Sequence, residues 1–517
     1  IRHYLAGEPI EAKADSSWYV LRKTIHRYRL AAAIAAAFVL LVSVSTIILA
    51  VLYRNQGRLL SQVQEQKKVA LDAETRAERR FDQVQDLAHA FIDGIEPRIK
   101  HLVGSTSARE YVVSKGLEYL DSLTRESEGH LELQWELGSA YFKIGEIQGG
   151  PQGANLGDRE GALDSHRKGL ALIKAIAETK PNDHNLQYQL GTAYQRVAVL
   201  QDVMGLRAEA AEHYQEAQRI AERLAQADPD NRAHQRQLTV SYDMIAYRHL
   251  QAGRLDEALA TYRKSLYIAR TLADAEPDSD ISQRDLAVSH DKIGRVLFAQ
   301  GKVEDALNNY QKFLQIIRTL ADADPQNAVY QRDLGVAHEH IGVVQKDLGR
   351  HEHALASFNK TLSIRRALSD ADPENADSLR LVTSTYCVVG EAQLALDRPE
   401  AALSSFQDYM LSAEKIAKAD PADDAARREF GVSFYKMAEL EAALAMDESR
   451  SDAQRRQHWT AARSWFQKCH AVFVDMRDRG ILRQSDAAVP DEIAAEIATC
   501  DAMLANANGA ASNPKSP

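Results

Sequence analysis

Apolar side chains recur along this chain in two ways. Over residues 30–53 they are nearly continuous and no charge interrupts them. Over most of the remainder they return at helical spacing between polar positions. The charge-free run of 24 residues, at about 1.5 Å per residue, is long enough for the ~30 Å hydrocarbon core of a bilayer, so it predicts a transmembrane helix. Arg22, Lys23, Arg27 and Arg29 precede the run and only Arg54 and Arg58 follow closely, which puts residues 1–29 on the cytoplasmic side. After the run, Val63, Ala70, Ala77, Val84 and Phe91 stand seven residues apart in a proline-free polar stretch, and a helical stalk is expected over 54–79. Its companion seam includes Lys67 and Glu74, so a homodimeric coiled coil and a single solvated helix both remain open. Ser107 with Glu110 forms a capping-box pattern, and residues 80–129 are read as a helical hairpin capping the region after residue 129.

A second period governs the rest. Pro181, Pro229, Pro277, Pro325, Pro373 and Pro421 are spaced by 48 residues. The same step relates Gly205, Gly253, Gly301 and Gly349; Ala210, Ala258, Ala306, Ala354 and Ala402; and Tyr214, Tyr262, Tyr310, Phe358 and Phe406. Two residues after each proline stands Asp183, Asn231, Ser279, Asn327, Asn375 or Asp423, a residue able to accept hydrogen bonds from the unpaired N–H groups of a helix start. Proline ends one helix and the cap opens the next, so each unit is a pair of helices joined by a short turn at the glycine.

Within one unit Leu334 and Ile341 lie a heptad apart on the first helix, and Ala354 and Phe358 lie one turn apart on the second. Ile341 with Gly342, turn Gly349, Ala354 and Phe358 resemble the tetratricopeptide repeat. That repeat is about 34 residues long, and the longer period here implies about seven more residues on each helix, at the ends away from the turn. The expected fold is all-α: a single transmembrane helix, a helical stalk and a tetratricopeptide-like α-solenoid of about seven 48-residue helix pairs over 130–484. A capping helix over 485–504 and a disordered tail over 505–517 complete it. The first unit carries a glycine-rich turn, IQGGPQGANLGD. No Lys-Ser or Lys-Thr follows, so it reads as an elongated helix–helix loop rather than a phosphate loop. The last unit has an insertion around DESRSDAQRRQ, expected as a surface loop.

Charge and composition narrow the chemistry. A formal net charge of −10 argues against nucleic acid as a ligand. Cys387, Cys469 and Cys500 are too few for a disulfide framework and lack metal-ligand spacing; a Cys469–Cys500 bridge stays open for an oxidising compartment. His338, His340, His351 and His353 cluster in sequence, but two residues on a helix diverge by about 200°, so they read as solvated or core-edge side chains. No metal or cofactor site is expected. Arg236, Arg284, Arg332, Arg380 and Arg428 occupy one phase of the first helices and point away from the core contact of Leu238, Leu286, Leu334, Val382 and Phe430. They form either a basic stripe on a concave face, holding acidic groups of a protein or peptide partner, or rungs to Asp285, Asp333, Glu429 and the acidic loops between units.

YLAGEPIEA and WYVLRKTIHRYR before the span, then LVGSTSAREYVVSKGLEYLDSL, LELQWELGSAYFKIGEIQG and NLGD before GALDSHRKGL, together resemble the juxtamembrane, membrane and repeat regions of a family of bacterial serine/threonine protein kinases. Residues 1–517 contain no glycine-rich nucleotide loop, Val-Ala-Ile-Lys strand, His-Arg-Asp loop or Asp-Phe-Gly segment. The resemblance therefore implies a non-catalytic chain, with a kinase domain ahead of Ile1 to which ATP and magnesium would be confined. It also implies a bacterial plasma-membrane location, with the N-terminus cytoplasmic and the repeats extracytoplasmic. The alternative is a stand-alone membrane-anchored scaffold for envelope protein assembly.

Overall fold

The computed structural model describes residues 6, 17–89, 106–127, 130–150, 156–373, 375–421 and 423–511. Among them every regular element is helical. The chain divides into two compact units, Ile1–Ile95 and Glu96–Pro517.

The first unit holds α1 (Ser17–Arg27) and α2 (Arg29–His89). The 61 residues of α2 extend over about 90 Å at 1.5 Å each. Span and stalk are thus one helix, which passes residue 80, where a hairpin was expected to begin; residues 90–105 of that hairpin lie outside the described residues. The stretch Arg29–Val69 is long and apolar enough to cross a membrane, and none of its most apolar window is buried within the protein. Phe38, Leu40 and Leu49 are each about two-thirds exposed. The hydroxyls of Ser43 and Thr46 donate to the carbonyls of Val39 and Val42 one turn back, at 2.7 and 2.5 Å, so these two polar groups of the run are satisfied within the helix.

The second unit begins with α3 (Thr106–Glu126). Ser107 is the second residue of that helix, not its cap. Seven helix pairs follow: α4 (Leu131–Gly149) with α5 (Arg159–Thr179), α6 (His184–Val203) with α7 (Arg207–Ala227), α8 (Arg232–Gln251) with α9 (Leu255–Ala275), α10 (Asp280–Ala299) with α11 (Val303–Ala323), α12 (Ala328–Asp347) with α13 (His351–Ala371), α14 (Ala376–Leu394) with α15 (Pro399–Ala419), and α16 (Asp424–Met446) with α17 (Asp452–Asp478). A single 3-10 turn, Gln484–Asp486, leads to α18 (Val489–Ala511). The array is an α-solenoid of tetratricopeptide-like pairs.

Local chemistry sets the pairs. Asp183 accepts from the N–H groups of Asn185 and Leu186, and Asn231, Asn327 and Asp423 cap their helices in the same two-bond pattern, while Ser279 and Asn375 each accept one. At the turns Gly205, Gly253, Gly301 and Gly349 have φ of +79, +72, +74 and +70°. Gly205 N–H donates to Asp202 and Leu206 N–H to Gln201, closing the helix end with a left-handed residue. Asp397 takes the corresponding place in the sixth pair at φ +54°, with Asp397 N–H on Leu394 and Arg398 N–H on Gln393.

The pairs close on a small residue set against a ring. A Cβ added at Gly294, Gly342 or Gly390 would lie 2.7, 2.6 or 2.6 Å from Tyr310, Phe358 or Phe406, and alanine occupies this place as Ala198 and Ala246. Ala210, Ala258, Ala306, Ala354 and Ala402 are fully buried. In the first pair the aromatic place, four residues after buried Ala162, is taken by His166, whose ring lies 2.4 Å from where a Gly145 Cβ would stand. Burial pushes its pKa down to about 4. The ends of the array are covered. Val113 and Leu120 of α3 are buried, and Asp121 accepts from Tyr141 and Lys168 at 2.6 and 2.9 Å. At the other end Ile493 and Cys500 of α18 join Phe466, Cys469 and Phe473.

Two further expectations change. The insertion in the last pair is not a long loop: it lengthens α16 and α17 to 23 and 27 residues, leaving only residues 447–451 between them, because Ser451 and Gln454 form a capping box that starts α17 early. The last helix does not stop at 504. It continues to Ala511, through a stretch in which four alanines offset the low helix propensity of Asn506, Asn508 and Gly509, so residues 505–511 are helical and 512–517 lie outside the described residues.

Gly301→Ala should lower unfolding stability by about 1 kcal/mol and Asp397→Gly raise it by about 0.5–1 kcal/mol, because an L side chain is strained at positive φ; denaturant unfolding followed by circular dichroism measures both. His166 binds a proton less readily folded than unfolded, so stability should fall as pH drops from 6.5 towards 4 and be complete above that window. Thermal melts across it should be flatter for His166→Phe than for the parent chain.

Candidate interaction surface

The five arginines lie on α8, α10, α12, α14 and α16, the first helices of successive pairs. Four are in ion pairs, three of them between repeats and the fourth to the 3-10 turn after the last pair. Arg236 Nε lies 2.8 Å from Asp285 Oδ2, and Arg284 Nε 2.6 Å from Asp333 Oδ2. Arg380 pairs with Asp423, the cap of α16. Arg428 donates from Nε and Nη2 to both oxygens of Asp486, at 2.6 and 3.2 Å, and this guanidinium holds the Asp486 carboxyl below its ordinary range. Glu429, an expected acceptor, instead receives the Tyr409 hydroxyl at 2.5 Å. Arg332 differs because the residue 49 positions ahead, acidic for Arg236 and Arg284, is Leu381. Among the described residues no ion pair is seen for it.

Further rungs join the first helices. Lys292 lies 2.6 Å from Asp243 and His340 Nδ1 2.7 Å from Asp291. Glu391 receives Lys346 and Lys436 from the two flanking repeats at 2.8 and 3.1 Å; burial raises its pKa, but these ammonium groups outweigh that and hold the carboxyl below its usual range. The histidine cluster disperses accordingly. His340 belongs to the Asp291 rung and its ring lies tilted at 48° to that of Tyr310, centroids 4.9 Å apart, whereas His338 is buried and its pKa is pushed down to about 4, chiefly by that burial. Among the described residues no group of three or more His, Cys, Asp or Glu side chains is placed to hold a metal ion. Cys469 and Cys500 are buried free thiols, and burial pushes the Cys469 pKa up to about 12.

Between these rungs the same helices leave apolar surface uncovered. Tyr247 is 43% exposed, and Val240, Val343 and Leu381 are each 37% exposed. A groove of about 310 Å³ is lined by Leu250, Arg295, Phe298, Tyr310, His340 and Val343. It spans α8, α10 and α12 and is walled almost entirely by carbon, with Arg295 and His340 supplying polar ends. Such a surface suits an apolar side chain presented by a protein. Arginine periodicity drew the sequence reading to Arg236 and its counterparts, whereas the groove arises where unlike residues of three repeats meet. Of the glycine-rich turn, residues 151–155 lie outside the described residues, and Asp158 caps α5 through the Gly161 N–H.

Residues 240–272 match the tetratricopeptide repeat family model, covering the end of α8, the Gly253 turn and most of α9. No curated protein matches the chain. Among solved structures, BtubC (BKLC) from P. vanneervenii is 19% identical over 51% of this chain and 92% of its own, with a TM-score of 0.40. The apo form of RapI is 12% identical over 82% and 98%, with a TM-score of 0.43. A signal transduction ATPase with a tetratricopeptide repeat sensor from Pyrococcus horikoshii is 13% identical over 73% and 55%, with a TM-score of 0.38. Similarities at these levels carry nothing about what this chain binds.

The rungs make a graded prediction. Arg236→Ala and Arg284→Ala should each lower stability by about 0.5–1 kcal/mol, the ordinary worth of a partly exposed pair, while Arg332→Ala should leave it within about 0.3 kcal/mol. Leu381→Asp should supply the missing acceptor, and a double-mutant cycle with Arg332→Ala would read the new coupling.

Proposed function

We propose that this chain is the membrane-anchored, non-catalytic interaction region of a bacterial serine/threonine protein kinase. The observation that carries the interaction role is the stacked tetratricopeptide-like array, with an uncovered apolar groove across α8, α10 and α12. Protein or peptide partners would dock along these first helices, taken as the concave face as in the repeat they resemble. Arg332, with no acidic residue at its ladder position, is the one arginine of the five left to meet an acidic group of the partner. Arg236, Arg284, Arg380 and Arg428 would serve mainly to hold the repeats in register.

The membrane role is supported by residues 30–53, whose apolar side chains find no cover within the protein, and by the basic residues before them. In this reading the N-terminus is cytoplasmic and the array lies outside the plasma membrane. The continuous α2 then mechanically links the span to the stalk: partner binding would change the proximity or rotation of stalks, in a homodimer or larger assembly, and so of the cytoplasmic domains. The kinase association rests on the likeness of the juxtamembrane and repeat segments to that family. ATP and magnesium would serve the kinase domain alone.

Alkaline carbonate extraction of bacterial membranes carrying the full chain should leave it in the pellet, and protease added outside spheroplasts should degrade the array. Release by carbonate, or protection from outside, would overturn the topology. A photo-crosslinking residue at Tyr247 or Val343 should capture a discrete envelope protein that Val343→Asp loses. An in-frame kinase domain upstream of Ile1 in the source DNA is expected; a start codon there without one would leave an anchored scaffold.

A further inference from the structure

The second helices of the pairs carry a charge pattern that the groove and the arginine ladder do not use. Two positions per helix, read at 48-residue steps from α7 to α15, run Glu216, Lys264, Lys312, Lys360, Asp408 and Glu222, Arg270, Arg318, Arg366, Glu414. Cations fill the three middle repeats, and acids close the rows at both ends. Arg263 adds a seventh cation. Between their terminal turns α9, α11 and α13 contain no acidic residue, although the chain as a whole has a net charge of −10.

All seven side chains are exposed, and among the described residues none is seen in an ion pair. Asp274, Asp322 and Asp370 follow Arg270, Arg318 and Arg366 by one turn, yet the arginines do not bond them. Lys264 lies over the Tyr242 ring at 5.5 Å. The rows converge on a groove of about 290 Å³ between α9 and α11, floored by α10: Arg263, Arg270 and Lys312 reach it from the walls with Asn308, and Asp305 stands at its edge. At its floor is buried His290, which shares a 3.0 Å hydrogen bond with Asn309. Burial first lowers the His290 pKa, the Asn309 hydrogen bond opposes that, and the nearby Lys312 and Arg270 charges add to the lowering. Tyr267 projects from α9 between Lys264 and Arg270, 74% exposed.

Seven like charges close together repel one another, and nothing in the repeat packing requires them, since the positions of six are acidic in the flanking repeats and that of Arg263 is Gln215 or Gln311 in its neighbours. We propose that the outer face of α9, α11 and α13 is a second interaction surface, which takes an acidic segment of a protein partner with one carboxylate seated in the α9–α11 groove. Charge complementarity defines the occupant, and residue types select a polypeptide. Lysines predominate in one row, as point charges that suit dispersed carboxylates. A lone exposed tyrosine among arginines is the composition of a protein-binding anchor, whereas single-stranded nucleic acid would call for a series of stacking rings; the positions equivalent to Tyr267 are Arg219, Gln315, Ser363 and Leu411. This face is distinct from the α8–α10–α12 groove, so either surface can fail without the other.

The test titrates a fluorescein-labelled oligoglutamate into the full chain in detergent micelles and follows anisotropy. The parent chain should bind, with affinity falling steeply as salt rises. The Lys264→Glu, Lys312→Glu, Lys360→Glu variant should lose about tenfold or more in affinity, with an unchanged thermal melt, and Tyr267→Ala should weaken binding without altering its salt dependence. Arg219→Ala, outside the patch, and Val343→Asp, in the other groove, should bind as the parent does. The proposal is overturned if the oligoglutamate does not bind, if the triple variant binds equally, or if inorganic polyphosphate or anionic phospholipid vesicles bind the patch more tightly than the peptide. Should the triple variant unfold, Lys312→Gln with Arg263→Gln removes two groove cations without reversing charge and must still weaken binding.

Discussion

A ring set against a residue with little or no side chain is the contact on which this protein depends. Gly294, Gly342 and Gly390 leave no room for a Cβ beside Tyr310, Phe358 and Phe406, and Ala306, Ala354 and Ala402 are fully buried in the same layer. The two helices of a pair approach this closely only where one surface is reduced to backbone. Since a pair alone exposes half of its apolar face, closing it creates the surface on which the next pair stacks. The 48-residue period is this contact repeated.

Around it the other interactions divide by range. Caps at Asp183, Asn231 and Asn327 and left-handed turns at Gly205, Gly253 and Gly301 are built from neighbouring residues. They recur because each repeat faces the same four unpaired N–H groups and the same reversal of direction. Ion pairs work between repeats. Arg236 with Asp285 and Arg284 with Asp333 stitch one first helix to the next, and the pattern ends where Leu381 replaces the acid. In a solenoid such variation is tolerated, because stability is roughly a sum over nearest neighbours and one missing rung is felt only locally. That tolerance leaves individual repeats free to diverge: Arg332 lacks its rung, Val343 is left uncovered, and cations accumulate on the second helices.

The termini show how sequence patterns fail at the edges of an array. His166 holds an aromatic place that the Tyr and Phe series did not reveal, because only the position of Ala162 identifies it. The insertion of the last pair reads as polar and loop-like, yet it is largely helical. Ser451 with Gln454 starts a helix within it, and the flanking helices offer an apolar face for the added turns. Arg428 finds Asp486, on a short 3-10 turn after the last pair, since the 49-residue offset that reaches the next first helix in earlier pairs falls within α17, the second helix of its own pair. None of these follows from the 48-residue period, because each lies where the period stops.

The chain by itself determined the helix-pair architecture, the caps, the turns and the long apolar helix. These depend on residues within a few turns of one another and on a period repeated often enough to be read directly. The two ends of the apolar groove and the occupancy of the arginines were decided only by the tertiary structure. Leu250, Phe298 and Val343 belong to three different repeats, and Arg380 has an acceptor at Asp423 as well as the expected Glu429; packing chooses between them. The outer rows of cations lie between these cases. Their order was present in the sequence at the same 48-residue step, but their exposure, and that no ion pair is seen for them among the described residues, became visible only once the second helices stood side by side, where charge is summed over neighbours in space.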